Sequence, residues 1–413
     1  MPRDRRTRRD LRAIWIDGMA WSVMVGMGEQ SLPAFALAAG LSSVAAGLTA
    51  TVPMIAGALL QLALAPFVAR ARSLKSWVLL SAVLQGAVFL PLAVGAARGT
   101  AGAVFVYACA TLYWTFALTG NPAWSTWVEL HVPRTLGVRY WARRQGWIHV
   151  FTMLGLLTTG VLLERFALPG EPLAAFAWVF SGAALARAVS CAFLLRQSEL
   201  EPHPSAARRV PFAAFLARFR GGHDGRLFLA LFASQAALQF AVPYFLPYVR
   251  GPLGFDYAST MALLAAAVLG RFLALPAFGE FARRRSLSAL FVLGGALCVP
   301  ATLGWIVSDR FLPLLAAQLF AGAAFGAFEL ATFLAFFARI EREERTGVLT
   351  WYHVVNASAF AAGSLAGGAL LERGGSDARA FQVVFAVAAG LRFLAFLLVL
   401  RAERGHADPV PRS

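Results

Sequence analysis

Twelve apolar runs, each long enough to cross a bilayer as a helix, restrict the fold of this chain more than any other feature. A helix that crosses the hydrocarbon layer needs roughly 20 apolar residues. Runs of that order lie at 15–38, 47–68, 76–96, 102–124, 146–163, 174–195, 227–248, 258–278, 287–307, 312–337, 347–371 and 380–400. Short basic segments separate them. With 59% hydrophobic and 14% charged residues, the chain owns too little charge to cover a water-exposed surface. The bilayer is its solvent, and in lipid each segment must satisfy its own backbone groups, which helices do. The expectation is an all-α membrane protein with twelve transmembrane helices. Pro33, Pro53, Pro122, Pro243 and Pro276 fall inside these runs, where neighbouring helices can re-satisfy the freed backbone groups.

The distribution of basic residues orients the spans. Of 37 Lys and Arg, 28 fall in the two termini and in the loops after spans two, four, six, eight and ten. Only 6 fall in the opposite loops, and Arg187, Arg271 and Arg392 lie inside spans. Basic loops stay on the cytoplasmic side, so both termini are expected inside, on a plasma (inner) membrane. The same distribution accounts for the net charge of +16 without nucleic acid. Thr7-Arg8-Arg9-Asp10-Leu11 is similar to a twin-arginine export signal. The apolar stretch behind it carries Asp17 and Glu29 and runs to about Ala38, so it reads as a first span with a basic anchor.

Other chemistries find no support in the motifs. Cys109, Cys191 and Cys298 sit in separate apolar runs, without disulfide or metal spacing. The six His are scattered, and there is no HExxH, no GxSxG and no phosphate-cradling Gly-Lys-Ser or Gly-Lys-Thr. Neither an enzyme nor an ATP-driven pump is expected, and no cofactor or metal.

The two halves of the chain repeat each other. Gly160-Val161-Leu162-Leu163-Glu164-Arg165 ends span five, and Gly368-Ala369-Leu370-Leu371-Glu372-Arg373 ends span eleven, 208 residues later. Val179-Phe180 and Arg187 in span six answer Val384-Phe385 and Arg392 in span twelve at an offset of 205. Glu29 and Pro33 answer Gln239 and Pro243 at 210, as Ala65-Pro66 answers Leu275-Pro276. These matches indicate duplication, with a six-helix bundle over 1–195, a cytoplasmic linker over 196–226 and a second six-helix bundle over 227–413. A short interfacial helix is expected near Phe212–Phe219. Duplicated helix sets that rock about a central site are a common transporter architecture.

On the 6+6 layout, the inside termini, the central loop and two basic loops, the chain resembles the major facilitator superfamily over essentially its whole length. The loop after span two, Pro66-Phe67-Val68-Ala69-Arg70-Ala71-Arg72-Ser73-Leu74-Lys75, keeps the basic residues of that family's Gly…Asp-Arg…Gly-Arg-Arg motif but lacks its Gly and Asp. Its counterpart after span eight, Gly279-Glu280-Phe281-Ala282-Arg283-Arg284-Arg285, is closer to the motif. Asn121-Pro122-Ala123-Trp124, Pro133-Arg134 and Gly137-Val138-Arg139-Tyr140-Trp141-Ala142-Arg143-Arg144-Gln145 resemble a pattern of bacterial facilitator-type permeases. The resemblance implies a secondary active transporter working by alternating access. It also implies conformational gating by Arg70, Arg72, Arg139, Arg143, Arg144, Arg283 and Arg284. In that architecture helices one, four, seven and ten line the cavity, with two, five, eight and eleven beside them.

A charge near the bilayer centre costs about 2.5–3.5 kcal/mol on the insertion scale, so each one marks a candidate site. The cavity-lining set holds Glu29, Asn121, Gln239 and Glu329, and the flanking set holds Gln61, His149, Arg271 and Asn356. By the repeat, Glu29 answers Gln239, Gln61 answers Arg271, and Asn121 answers Glu329. The expectation gives Glu29 or Glu329 the role of proton-coupling carboxylate and makes Arg271 a switching counter-ion or an anchor for an anionic group. The amides and His149 would bind substrate. The competing reading is a set of buried polar contacts that only hold helices together. That reading fits Arg187 and Arg392 better, and also the small-residue faces at Gly322–Gly326 and Gly363–Gly367. Partners are expected to be membrane lipid, a small-molecule substrate and protons, with the protein a monomer. Uptake of a polar solute, efflux of amphipathic compounds, and a non-transporting sensor or scaffold on the same fold all remain open at this point.

Overall fold

The computed structural model describes residues 5–69, 73–129, 131–132, 137–167, 169–199, 212–219, 222–339 and 345–404. Every expected span is present as one helix or as a broken pair. The first half comprises α1 (Arg5–Met27), α2 (Leu32–Ala38), α3 (Ser43–Leu48), α4 (Val52–Ala69), α5 (Leu74–Ala87), α6 (Phe89–Ala97), α7 (Ala103–Glu129), α8 (Gly137–Arg165) and α9 (Ala174–Arg196). The linker holds α10 (Phe212–Phe219). The second half comprises α11 (Gly222–Gln239), α12 (Phe245–Arg250), α13 (Tyr257–Arg284), α14 (Leu287–Val307), α15 (Phe311–Arg339), α16 (Arg345–Arg373) and α17 (Ala378–Glu403). Eleven stretches among the described residues are long and apolar enough to cross a membrane. The first span, α1 with α2, falls outside that set because it begins in an Arg-rich turn, carries Asp10 and Asp17, and is interrupted.

That interruption has a covalent cause, and it recurs at the matching place of the second half. In a continuous helix the carbonyl of residue 29 would accept from the N–H of residue 33, but residue 33 is proline and has none. The Glu29 carbonyl accepts instead from Leu32 N–H, and the chain forms a 3₁₀ turn over Glu29–Ser31 before α2. Pro243 removes the corresponding partner of the Gln239 carbonyl. There α11 stops, and a 3₁₀ turn over Val242–Tyr244 leads into α12. Pro122, Pro276 and Pro300 sit inside helices that remain continuous.

The chain forms two compact units, one of residues 1–205 with 255–265, the other of residues 206–254 with 266–413. Within each unit the same helix crossings recur at the offsets of the repeat. In the first, Gly26 of α1 meets Gly155 of α8 so closely that a Cβ on Gly26 would lie 2.3 Å from the Thr152 carbonyl oxygen. In the second, a Cβ on Gly363 of α16 would lie 2.1 Å from the Ala236 carbonyl oxygen of α11. Positions 26 and 155 answer 236 and 363. At the crossing of spans two and four, Gly57 backs onto Trp114 and Thr115. Its counterpart in the second unit places Gly322 of α15 against the Ala267 backbone of α13, so the small residue has changed sides. Gly120 against Ser81 is likewise answered by Phe328 against Gly294. Apolar lipid offers little hydrophobic drive between helices, so such backbone approaches carry much of the association. Gly326 and Gly367 extend the same faces, against Arg271 and Phe240. Trp127 and Tyr113 of α7 are core side chains, at 0% and 1% exposure.

The polar end of the first unit is tied together behind α9. Lys75 Nζ donates to the carbonyls of Leu195 and Gln197 at 2.9 and 2.7 Å. Trp127 Nε1 donates to the Ser198 carbonyl, and the His131 ring nitrogens lie 2.9 Å from the carbonyls of Trp127 and Ser198. Arg6 and Arg9 donate to Ser198 Oγ, and Asp10 Oδ1 accepts from Ser198 N–H. In the second unit α10 is held by Phe215, which packs on Phe228 and Trp351.

Candidate functional site

In the first unit the break in span one leaves Glu29 at the start of the 3₁₀ turn, where the side chain is half-buried. Tyr113 Oη of α7 donates to Glu29 Oε2 at 2.7 Å, and Gln30 Nε2 donates to Oε1 at 3.4 Å. The Tyr113 ring is fixed by Phe89 and Trp114, with centroids at 5.4 and 5.6 Å. Gly28 lets the turn sit against Phe89, since a Cβ there would be 2.4 Å from that ring. The carboxylate is therefore held by a rigid donor. Gln61 on α4 and His149 on α8 are half-buried, and Asn121 on α7 is exposed.

A second polar cluster in this unit was not singled out as a site from the sequence. Asp17 on α1 is 3% exposed and accepts from Ser190 Oγ of α9 at 2.6 Å. Ser190 Oγ in turn accepts from Arg187 Nη1 at 2.8 Å, so a hydroxyl bridges the carboxylate and the guanidinium. Arg144 of α8, 8% exposed, lies over the Trp124 ring at 4.8 Å and the Trp141 ring at 5.7 Å, and donates to the Ile14 carbonyl. It fits because Gly18 has no side chain, for a Cβ there would stand 2.6 Å from Arg144 Nη2. Asp17 was legible only as a charge in an apolar run, and nothing local to it points to residues 144 or 187.

In the second unit Arg271 of α13 and Glu329 of α15 form an ion pair, Nη1 to Oε2 at 3.0 Å. Gly326, one turn before Glu329, makes room for the Arg271 stem. The side chains are 31% and 55% exposed, so the pair is open on one side. It occupies the crossing where the first unit has Gln61 and Asn121. Gln239 is half-buried at the break of span seven, and the Asn356 Oδ1 on α16 is buried without a hydrogen-bond partner. Arg392 on α17 is 3% exposed and, among the described residues, meets no carboxylate within ion-pair range. Its guanidinium donates to Thr302 Oγ1 and to the carbonyls of Cys298 and Leu238, and lies over the Phe325 ring at 5.3 Å.

Comparison with known proteins agrees with this architecture. Residues 227–413 match the family model of the Major Facilitator Superfamily. The family likeness therefore rests on the second half of the chain. The fold of this chain is shared with a mutant of the nucleoside transporter NupG, with a TM-score of 0.76 at 11% identity over 95% of this chain and 99% of that one. A bacterial homolog of the human lysosomal transporter Spinster, inward-facing and unoccupied, gives 0.72 at 13% identity over 99% and 100%. A bacterial homologue of the iron transporter ferroportin gives 0.66 at 14% identity over 96% and 99%. At these identities the likeness is one of fold. Comparison with curated proteins finds no significant match.

Within the facilitator fold the basic residues expected to gate fall into different settings. Arg70 and Arg72 lie outside the described residues, as does the side chain of Arg139. Residues 137–145, read as loop from the sequence, are the first turns of α8, so Arg143 and Arg144 are helical. Arg143 is exposed, whereas Arg144 points into the bundle. Arg283 and Arg284 end α13, and both pair with Glu280, at 2.7 and 2.5 Å.

Proposed function

We propose that the protein is a secondary active transporter that moves a small charged or polar solute by alternating access, with both termini cytoplasmic and with coupling to protons. The reading rests on the Arg271–Glu329 pair. Two charges left this open within apolar spans need water or a polar solute against them, since lipid contact would be costly. Arg271 then anchors an anionic group of the solute when Glu329 releases it, a bidentate task suited to guanidinium. Glu29, at a broken helix and hydrogen-bonded by Tyr113, is the carboxylate whose proton exchange is coupled. Broken helices at matching places in two repeats are where transporters commonly place their sites.

Structurally similar proteins supply a starting panel, because they include a nucleoside transporter and a POT family transporter in complex with 5-aminolevulinic acid. Purified protein in proteoliposomes would be assayed with labelled nucleosides, 5-aminolevulinic acid and short peptides, with and without an imposed pH gradient. The expected result is flux of one class that Arg271→Gln and Glu329→Gln abolish. Glu29→Gln keeps exchange but loses pH-driven accumulation. PH-driven accumulation by all three variants at the wild-type rate would overturn the assignment.

A further inference from the structure

The repeat gives each unit an arginine in its sixth span, but the two differ in how the charge is met. In the first unit Arg187 donates to Ser190 Oγ, which donates to the Asp17 carboxylate. At the offsets of the repeat, Ser190 answers Ala395 and Asp17 answers Leu227. Arg392 therefore has neither the hydroxyl nor the carboxylate. A guanidinium stays protonated in a protein, so the second unit carries a full positive charge at 3% exposure. Thr302 Oγ1 and the carbonyls of Cys298 and Leu238 accept from its terminal nitrogens. These acceptors are dipoles without net charge. The Nε–H is buried and, among the described residues, has no hydrogen-bond partner. Arg392 lines a cavity of about 10 Å³ between α11, α14, α15 and α17, together with Ser234, Leu238, Cys298, Phe328 and Ala395. The position that Ser190 holds in the first unit is thus part of the cavity wall in the second.

We propose that this cavity binds one chloride ion, which gives Arg392 the counter-charge that Asp17 gives Arg187. Buried charges are paired in proteins, because an isolated one is costly in a low dielectric. Size limits the occupant. A cavity of about 10–15 Å³ takes a single water-sized particle, so a monatomic anion fits and a sulfate or phosphate does not. Charge then favours the anion over water. A water would accept from Nε–H and leave the guanidinium uncompensated, whereas a chloride accepts the same bond and cancels the charge. Ser234 brings a hydroxyl donor to the lining and Cys298 a weak thiol donor, and no carboxylate lines the cavity to repel an anion. The rest of the wall is apolar, which suits chloride better than the more strongly hydrated fluoride. Arg271 does not compete for the ion, since Glu329 already stands 3.0 Å from it.

The test uses the purified full chain in detergent, exchanged into sodium gluconate and titrated with sodium chloride, bromide or sulfate at constant ionic strength. Chloride and bromide should raise the thermal midpoint saturably, and sulfate should not. Bound chloride should broaden the chloride NMR line, and bromide should reverse the broadening by competition. Arg392→Met should lose both responses. Ala395→Val, which fills the cavity and leaves the guanidinium in place, should lose them as well and serves if Arg392→Met folds poorly. Arg271→Gln should keep both, which separates this ion from one held at the exposed pair. A wild-type midpoint and line width that do not respond to chloride mean that the cavity holds water only, and overturn the proposal. So does a response to sulfate as large as that to chloride, a response that survives in folded Arg392→Met or Ala395→Val, or one that disappears in folded Arg271→Gln.

Discussion

The two six-helix units are built on the same crossings and carry different charges. Where the first has Gly26 against Gly155, the second has Ala236 against Gly363. Where the first buries Asp17, Arg144 and Ser190, the repeat positions of the second hold Leu227, Tyr352 and Ala395. Of the arginines inside spans, that of the sixth is common to both units, and its partners differ. Arg187 leans on a serine bridged to Asp17, whereas Arg392 is held by a threonine and two carbonyls. Conversely, the exposed ion pair belongs to the second unit, and the matching positions of the first hold two amides. Close packing is required of both copies, since each must hold six helices together in lipid. Charge is not needed for that, and each unit has kept it at a different place.

Substitutions that make one unit more like the other test this division. The largest effect is expected for Asp17→Leu, the residue the second unit carries. It strands Arg187 and Arg144 near a bundle without their carboxylate, and breaking such a buried arrangement costs about 3–5 kcal/mol. Thermal unfolding in detergent should show a large loss, and Leu227→Asp should not reproduce the first unit's stability. Next comes Gly363→Leu, where a side chain must displace the Ala236 backbone. Overpacking of this kind costs about 1–3 kcal/mol, and size-exclusion profiles should show loss of monodisperse protein. Gln239→Glu, which keeps volume, should not.

Smaller effects are expected at the open sites. Arg271→Gln or Glu329→Gln should cost about 1 kcal/mol at most, because the pair is partly exposed. A stability loss well above that would recast the pair as a structural tie, and transport would then fail through misfolding. The smallest change is expected for Lys75→Ser, about 0.5 kcal/mol for its carbonyl bonds. It should appear as a slight fall in the thermal midpoint, as the carbonyls of Leu195 and Gln197 lose that donor.

How much of this could be read from residues alone differs by kind of feature. The short helix expected near Phe212–Phe219 is α10, with those bounds. Pro33, Pro122, Pro243 and Pro276 were read alike, as prolines that a membrane bundle can accommodate, yet both units break at Pro33 and Pro243 while Pro122 and Pro276 leave their helices intact. A proline deletes one N–H by its covalent structure, but whether a long helix tolerates the loss depends on what packs beside it. Arg144 is the clearest miss. In sequence it belongs to a basic stretch that reads as loop, and only the packing of α8 on α1, beside the side-chain-free Gly18, turns it inward. The roles of Gly26, Gly57 and Gly155 were equally silent, because a glycine says nothing of which backbone it will face.

The amino-acid sequence by itself determined the number and placement of the spans, the duplication and the linker helix. These follow from run length, local covalent chemistry and self-similarity, all of which are one-dimensional. Tertiary structure alone decided which polar groups meet. Asp17 reaches Ser190 across 173 residues, and Arg392 reaches Leu238 across 154. Such pairs have no period and no spacing, because they are set by the rotation of each helix about its axis, and that rotation is fixed by where its smallest residues let a neighbouring backbone approach.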